Sequence, residues 1–264
     1  MSWSEHDALA WVARGVALAL VLQTVELWQL RALFSERGVW RWSILRAEHA
    51  TLPALLRWPF GFVLPYQPFL ALLAVRAALA TWMLISGSPA LAPVLLFTQL
   101  AICVRFRGAF NGGSDYMSVL VLLALSFAQT PLLTRAALAY VAVQTTLSYS
   151  IAGFAKLKSA AWRDGRALRS FVELAVERHG APRWLLDRLT TGRRSQLLAL
   201  GVIAFECSFP LAWSDPRVCA AYLALGLGFH LANSVVFGLN RFFFAWAAAY
   251  PAVFFCSQLL GSSA

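Results

Sequence analysis

The chain has 264 residues, 60% of them hydrophobic and 13% charged, with a formal net charge of +10 and a mean hydropathy of +0.66. That composition excludes a soluble domain with a polar shell and implies a polytopic membrane protein. No basic run interleaved with aromatics accompanies the positive charge, so it points to orientation in a lipid bilayer and excludes a nucleic-acid partner.

Spans of roughly 20 apolar residues are sought first, because that length crosses the hydrocarbon layer as a helix. Eight are expected, at Ala8 to Leu30, Pro68 to Ile85, Pro89 to Val104, Tyr116 to Leu133, Ala136 to Phe154, Gln196 to Trp213, Val218 to Leu239 and Phe242 to Leu260. The second and third are short and could form one re-entrant pair, which leaves six to eight. The first has no basic n-region before it and no small-residue cleavage site, so it reads as a span rather than a signal peptide. The predicted fold class is all-α: a polytopic bundle of about eight transmembrane helices with amphipathic interfacial helices, in one domain covering 1–264.

Two connections are longer than turns. Ser35 to Gln67 sets Trp40, Trp42, Trp58 and Tyr66 among arginines, the mixture found at a bilayer interface. Lys158 to Ser195 has Leu168, Phe171, Val172 and Ala175 at helical spacing, with Gly180 and Pro182 able to end the helix. Loops on one side carry 18 of the 22 basic residues. The expected location is therefore the cell membrane, multi-pass, with both termini outside the cytoplasm. The four cysteines are scattered without a C-x-x-C pair and the four histidines are dispersed, so neither a disulfide framework nor a metal site is expected.

Ionisable groups inside spans are costly and normally face a partner or a cavity. Counting depth along alternating spans puts Glu26, Arg76, Gln99, Asn111, Asp115, Lys156, His230 and Asn233 in one half of the bilayer, with Glu206 nearer its middle. The expectation is one polar cavity there, in which Lys156, His230 and Asp115 are candidate catalytic groups. Asn233, Asn111, Arg76, Glu26 and Trp162 are the candidate substrate-binding groups. Each has a plainer alternative: Lys156 a snorkelling anchor, Arg76 with Glu26 a structural ion pair, Asp115 a helix cap, and His230 a core histidine bonded to a carbonyl. Gly226 and Gly228 are expected at close helix contacts, and irregular helix near Pro210 and Pro251.

Tyr149-Ser-Ile-Ala-Gly-Phe-Ala-Lys-Leu-Lys158 followed by Trp162-Arg-Asp-Gly165, and Gly228-Phe-His-Leu-Ala-Asn-Ser234 followed by Phe237-Gly-Leu-Asn-Arg-Phe242, form two signatures. They resemble those of the horizontally transferred transmembrane domain family, which includes vitamin K-dependent gamma-carboxylases. Ser35-Glu-Arg-Gly-Val39 and Phe110-Asn-Gly-Gly-Ser-Asp-Tyr116 resemble the same family less closely. The resemblance implies a lysine base at Lys156 that initiates hydroquinone oxygenation, His230 beside it, and a vitamin K-like quinone as the cofactor. It also implies a site facing the lumen, topologically outside. Ala155 stands where the carboxylases have a second lysine, and Gly113 to Asp115 where they have a histidine. With no large domain after the last span, a gamma-carboxylase proper is not expected. The function read here is a membrane-embedded enzyme acting on a quinone-like or peptide substrate; the alternative is a non-catalytic membrane partner or a small-solute binding or transport protein. The expected partners are the lipid bilayer and a small peptide or protein.

Overall fold

A computed structural model describes residues 3–51, 53–106, 113–179, 183–191 and 193–261. Among them the chain is helical throughout, with no strand. Five helices are long and apolar enough to cross a membrane. The helices gather into two compact units: residues 5–137, and residues 138–264 together with 1–4.

The first unit contains α1 (Glu5–Gln29), α2 (Arg31–Phe34), α3 (Trp42–His49), α4 (Ala54–Val63), α5 (Tyr66–Ser86), a 3-10 turn (Pro89–Leu91), α6 (Ala92–Arg105), α7 (Ser114–Phe127) and the first turns of α8 (Pro131–Lys158). α1 packs along α5, and its buried face is rich in alanine (Ala8, Ala10, Ala13, Ala17), which lets two backbones approach closely. Leu27, Phe34, Phe60, Leu64, Phe69 and Leu73 belong to one buried apolar cluster. There Arg105, which the loop count treats as a flanking charge, is 1% exposed. Its guanidinium lies 5.5–5.6 Å from the rings of Phe34, Trp42 and Phe69 and donates to the Phe34 carbonyl at 3.3 Å. Arg105 is a caged structural cation rather than a free loop charge.

The second unit contains the remainder of α8, α9 (Ala160–Arg163), α10 (Arg166–His179), α11 (Arg183–Thr190), α12 (Arg194–Ser208), a 3-10 segment (Phe209–Trp213), α13 (Pro216–Phe237) and α14 (Asn240–Gly261). The limits of α13 follow from its sequence. Asp215 caps it, its carboxylate accepting from the N–H groups of Arg217 and Val218, while Pro216 occupies a first-turn position where no donor is needed. Gly238, at φ 67°, ends it in the left-handed conformation. α12 tightens into 3-10 helix at Pro210, as expected, whereas α14 runs through Pro251 as one helix.

Five of the eight expected spans fall on helices that meet the length and hydropathy of a membrane crossing: α1, α5, α12 with its 3-10 extension, α13 and α14. α6 and α7 are apolar but short. The fourth expected span needs correction. α7 stops at Phe127 and a new helix starts at Pro131, so Tyr116 to Leu133 runs across a break, because proline cannot donate the next helical bond. α8 has 28 residues, ample for a crossing at 1.5 Å per residue, yet its middle is polar. Thr145, Thr146 and Ser150 direct their hydroxyls to carbonyls four residues back, which satisfies them inside the helix.

Candidate functional site

The expected site residues are divided between the two units. Lys156, His230, Asn233 and Trp162 belong to the second; Arg76, Glu26 and Asp115 belong to the first. Asn111 lies outside the described residues.

In the second unit, Tyr149, Gly153 and Lys156 recur at i, i+4 and i+7, hence on one face of α8. Each does a different job there. The Tyr149 hydroxyl, buried, meets His230 Nε2 at 2.8 Å and the Tyr250 hydroxyl at 2.5 Å. Gly153 permits close approach to α12: a Cβ there would come within 2.7 Å of Cys207 N and 2.9 Å of the Glu206 carbonyl carbon. That approach puts Lys156 Nζ at 2.8 and 2.7 Å from the two carboxylate oxygens of Glu206. The pair is largely removed from solvent, with side-chain exposures of 19% and 4%. The ring of Trp162 covers the ammonium at 5.2 Å.

The W-x-x-G motif positions that ring. Gly165 adopts φ 82°, and a Cβ on it would sit 2.5 Å from Gln196 N, so only glycine allows the turn after α9 to press on the start of α12. Asp164 closes the same turn. Its carboxylate accepts from Arg166 N–H at 3.0 Å, and this bond, with the Arg166 guanidinium, holds its pKa below the ordinary carboxylate value.

On α13, Gly226 and His230 share a face. A Cβ at Gly226 would come within 2.3 Å of the Tyr250 hydroxyl and 3.1 Å of the Tyr149 hydroxyl, so this glycine makes room for the tyrosine pair. Gly228, expected at a close contact, has nothing within 4 Å of such a Cβ; it points away from the packed face. His230 is 3% exposed and stacks on Trp246 at 4.9 Å. The plainer reading of a carbonyl partner is replaced by the Tyr149 hydroxyl. His230 Nδ1 and Trp246 Nε1 are both buried with no hydrogen-bond partner. Asn233 uses its backbone carbonyl to receive the N–H groups of Gly238 and Leu239 at the end of α13.

In the first unit Arg76 is fully buried. It donates to the hydroxyls of Thr24 at 3.0 Å and Thr98 at 3.1 Å, and to the amide oxygens of Gln99 at 2.7 Å and Gln23. Gln23 passes the contact on, its Nε2 donating to Asp115 Oδ1 at 2.7 Å. The N-cap of α7 is Gly113, and Asp115 sits in the first turn. Amides and hydroxyls thus accept from this guanidinium along the directions of its planar fork.

The arrangement joins two kinds of chemistry in the second unit. Lys156 with Glu206 is an ammonium–carboxylate pair that can exchange a proton, and Tyr149, Tyr250 and His230 form a connected set of hydroxyl and imidazole groups. Along α8, seven residues separate Tyr149 from Lys156, about 10 Å. Phe205 on α12 packs beside the tyrosine, 5.4 Å from the Tyr149 ring and 6.0 Å from Phe229. Tyr250 and Trp246 are not among the site residues expected from the sequence, and Glu206 is expected only nearer the middle of the bilayer. A signal for the first two exists in the sequence: Trp246 and Tyr250 stand four residues apart on one face of an otherwise alanine-rich and phenylalanine-rich helix.

No protein family, curated protein or solved structure matches this chain.

Proposed function

We propose that this membrane-embedded helical protein is an enzyme of the horizontally transferred transmembrane domain type, in which Lys156 is a base toward a quinone-like or peptide substrate. The observation that carries the reading is the buried Lys156–Glu206 pair, formed on the same helix face that holds His230 through Tyr149. The carboxylate and the indole ring against the Lys156 ammonium support this reading over that of a headgroup anchor.

The proton path is short. Transfer from the ammonium to Glu206 leaves a neutral amine and a carboxylic acid, a pair with no net charge separation in an apolar setting. The amine then takes a proton from an acidic O–H or C–H of the substrate, and Glu206 gives the proton it holds to water at the partly exposed Lys156 side chain, which restores the ammonium–carboxylate pair. An oxygen-bearing ring fits the surroundings, because His230 Nδ1 and Trp246 Nε1 are buried polar atoms without partners in the chain and aromatic faces surround them. When bound, a hydroquinone supplies the acidic hydroxyl; the chain supplies base, orientation and exclusion of water.

The test is turnover of a vitamin K-type hydroquinone by membranes containing the protein in air-saturated buffer, where dioxygen is the oxidant that takes the electrons, with the oxidised products separated by chromatography. Lys156→Arg is expected to abolish turnover at unchanged expression, since arginine keeps the charge but does not give up its proton. Full activity in Lys156→Arg overturns the catalytic role, and absence of turnover in the wild type overturns this substrate class. A second reading, a non-catalytic binding or partner role, is favoured by the same pair in one respect: a satisfied salt bridge holds two helices without any chemistry.

A further inference from the structure

We propose that a pocket in the first unit, at the junction of α1 and the end of α5, binds a zwitterionic phospholipid headgroup, phosphoethanolamine, independently of any chemistry at Lys156. The pocket has a volume of about 400 Å³ and is lined in part by His6, Asp7, Trp11, Arg14, Ser86 and Ser88. Arg14 sits inside one of the five apolar helices long enough to cross a membrane, where a cation requires a counter-group. Helical side chains lean toward the N-terminus, and the Arg14 guanidinium accordingly lies 5.7 Å from the Trp11 ring, one turn earlier. It also fills the space over Gly87, where a Cβ would meet Cζ at 2.8 Å and Nη2 at 2.9 Å. Among the described residues no carboxylate pairs with it.

The neighbouring hydroxyls each accept one backbone bond: Ser86 Oγ accepts from Ser88 N–H at 3.2 Å, and Ser88 Oγ accepts from Ala90 N–H at 3.3 Å. Each retains its own hydrogen to donate. A guanidinium and two hydroxyl donors around one cavity match the acceptor oxygens of a phosphate. Asp7, the acidic residue of the lining, argues against a purely anionic ligand and matches an ammonium one short linker away from the phosphate. Trp11, half exposed on the helix surface, is the type of residue that sits at headgroup level. The chemistry is therefore phosphate on Arg14, Ser86 and Ser88, and primary ammonium on Asp7.

The protein, purified in detergent, is titrated with phosphatidylethanolamine, phosphatidylcholine and phosphatidylglycerol, and separately with inorganic phosphate. Bound lipid is counted by native mass spectrometry and melting temperature is followed in parallel. One phosphatidylethanolamine is expected to bind in preference to the other two. Arg14→Gln should weaken it about tenfold or more, the cost of a lost charge-assisted contact, and Asp7→Asn should reduce phosphatidylethanolamine to the level of phosphatidylcholine. Ser86→Ala, at an exposed position, tests the site if Arg14→Gln is not recovered folded, and should weaken binding by a smaller factor. Equal binding of all three lipids, or unchanged binding in both Arg14→Gln and Ser86→Ala, overturns the proposal. Stabilisation by inorganic phosphate that phosphatidylethanolamine does not compete away overturns the lipid as the source.

Discussion

Lys156 and Glu206 bind each other with both carboxylate oxygens engaged, so removing either partner leaves a charge in an apolar place. Lys156→Met and Glu206→Leu are each expected to destabilise the protein by ~3–5 kcal/mol, while the double variant should lose much less, because the desolvation cost disappears with the pair. Unfolding in detergent with increasing denaturant measures all three. The double variant also separates the two functional readings: a folded protein without turnover means the pair does chemistry, whereas retained function means it was a clamp. Tyr149→Phe should cost ~1–3 kcal/mol, since it removes the partner of His230 Nε2 and of the Tyr250 hydroxyl together; thermal melting checks this. Lys156 and His230 are legible in the sequence because an ionisable group in an apolar run stands out. Tyr250 and Trp246 show only a shared helix face in the sequence, because a tyrosine or tryptophan in a span is unremarkable until the register of three helices brings its polar atom to a particular neighbour. Arg76 is legible for the same reason as Lys156, whereas the amides of Gln23 and Gln99 that accept from it carry no charge to mark them in the sequence.

At the scale of elements, glycines decide which helices touch. Gly165→Ala places a Cβ at φ 82° and 2.5 Å from Gln196 N, so the turn between α9 and α10 must move off α12. The left-handed backbone alone costs an alanine ~1–2 kcal/mol, and the collision adds to it. The expected result is a lower melting temperature together with earlier proteolysis between α9 and α12. Gly228→Ala is the control. With open space around its Cβ and a helical backbone, it should raise stability by ~0.5–1 kcal/mol through the lower chain entropy of alanine. Element ends are legible where a cap residue and a breaker stand together, as Asp215-Pro216 and Gly238 do. They are misread where hydropathy continues across a break. Leu132 and Leu133 look like the end of the preceding span, but Pro131 makes them the start of α8, and no count of apolar residues records that change of direction.

For the whole molecule, the decisive quantity is which side of the membrane the basic loops occupy. Arg105 lies in an aromatic cage and so drops out as a free orienting charge, but the long connection after α8 keeps its many basic residues. The bias therefore survives this correction, and an even number of crossings would leave both termini on the opposite, outer face. The resemblance to carboxylases argues the reverse for Lys156, at the end of α8, since their chemistry faces the lumen. A single cysteine at Arg178, in a chain with the four native cysteines replaced by serine or alanine, decides between them. The expected outcome is labelling by a membrane-impermeant maleimide only after the cells are permeabilised. Labelling in intact cells would place the connection outside, reverse the termini, and align Lys156 with the carboxylase orientation. On the proposed catalytic reading, that result would also move the substrate search from cytoplasmic peptides to exported ones, because Lys156 lies at the end of α8 that leads into α9.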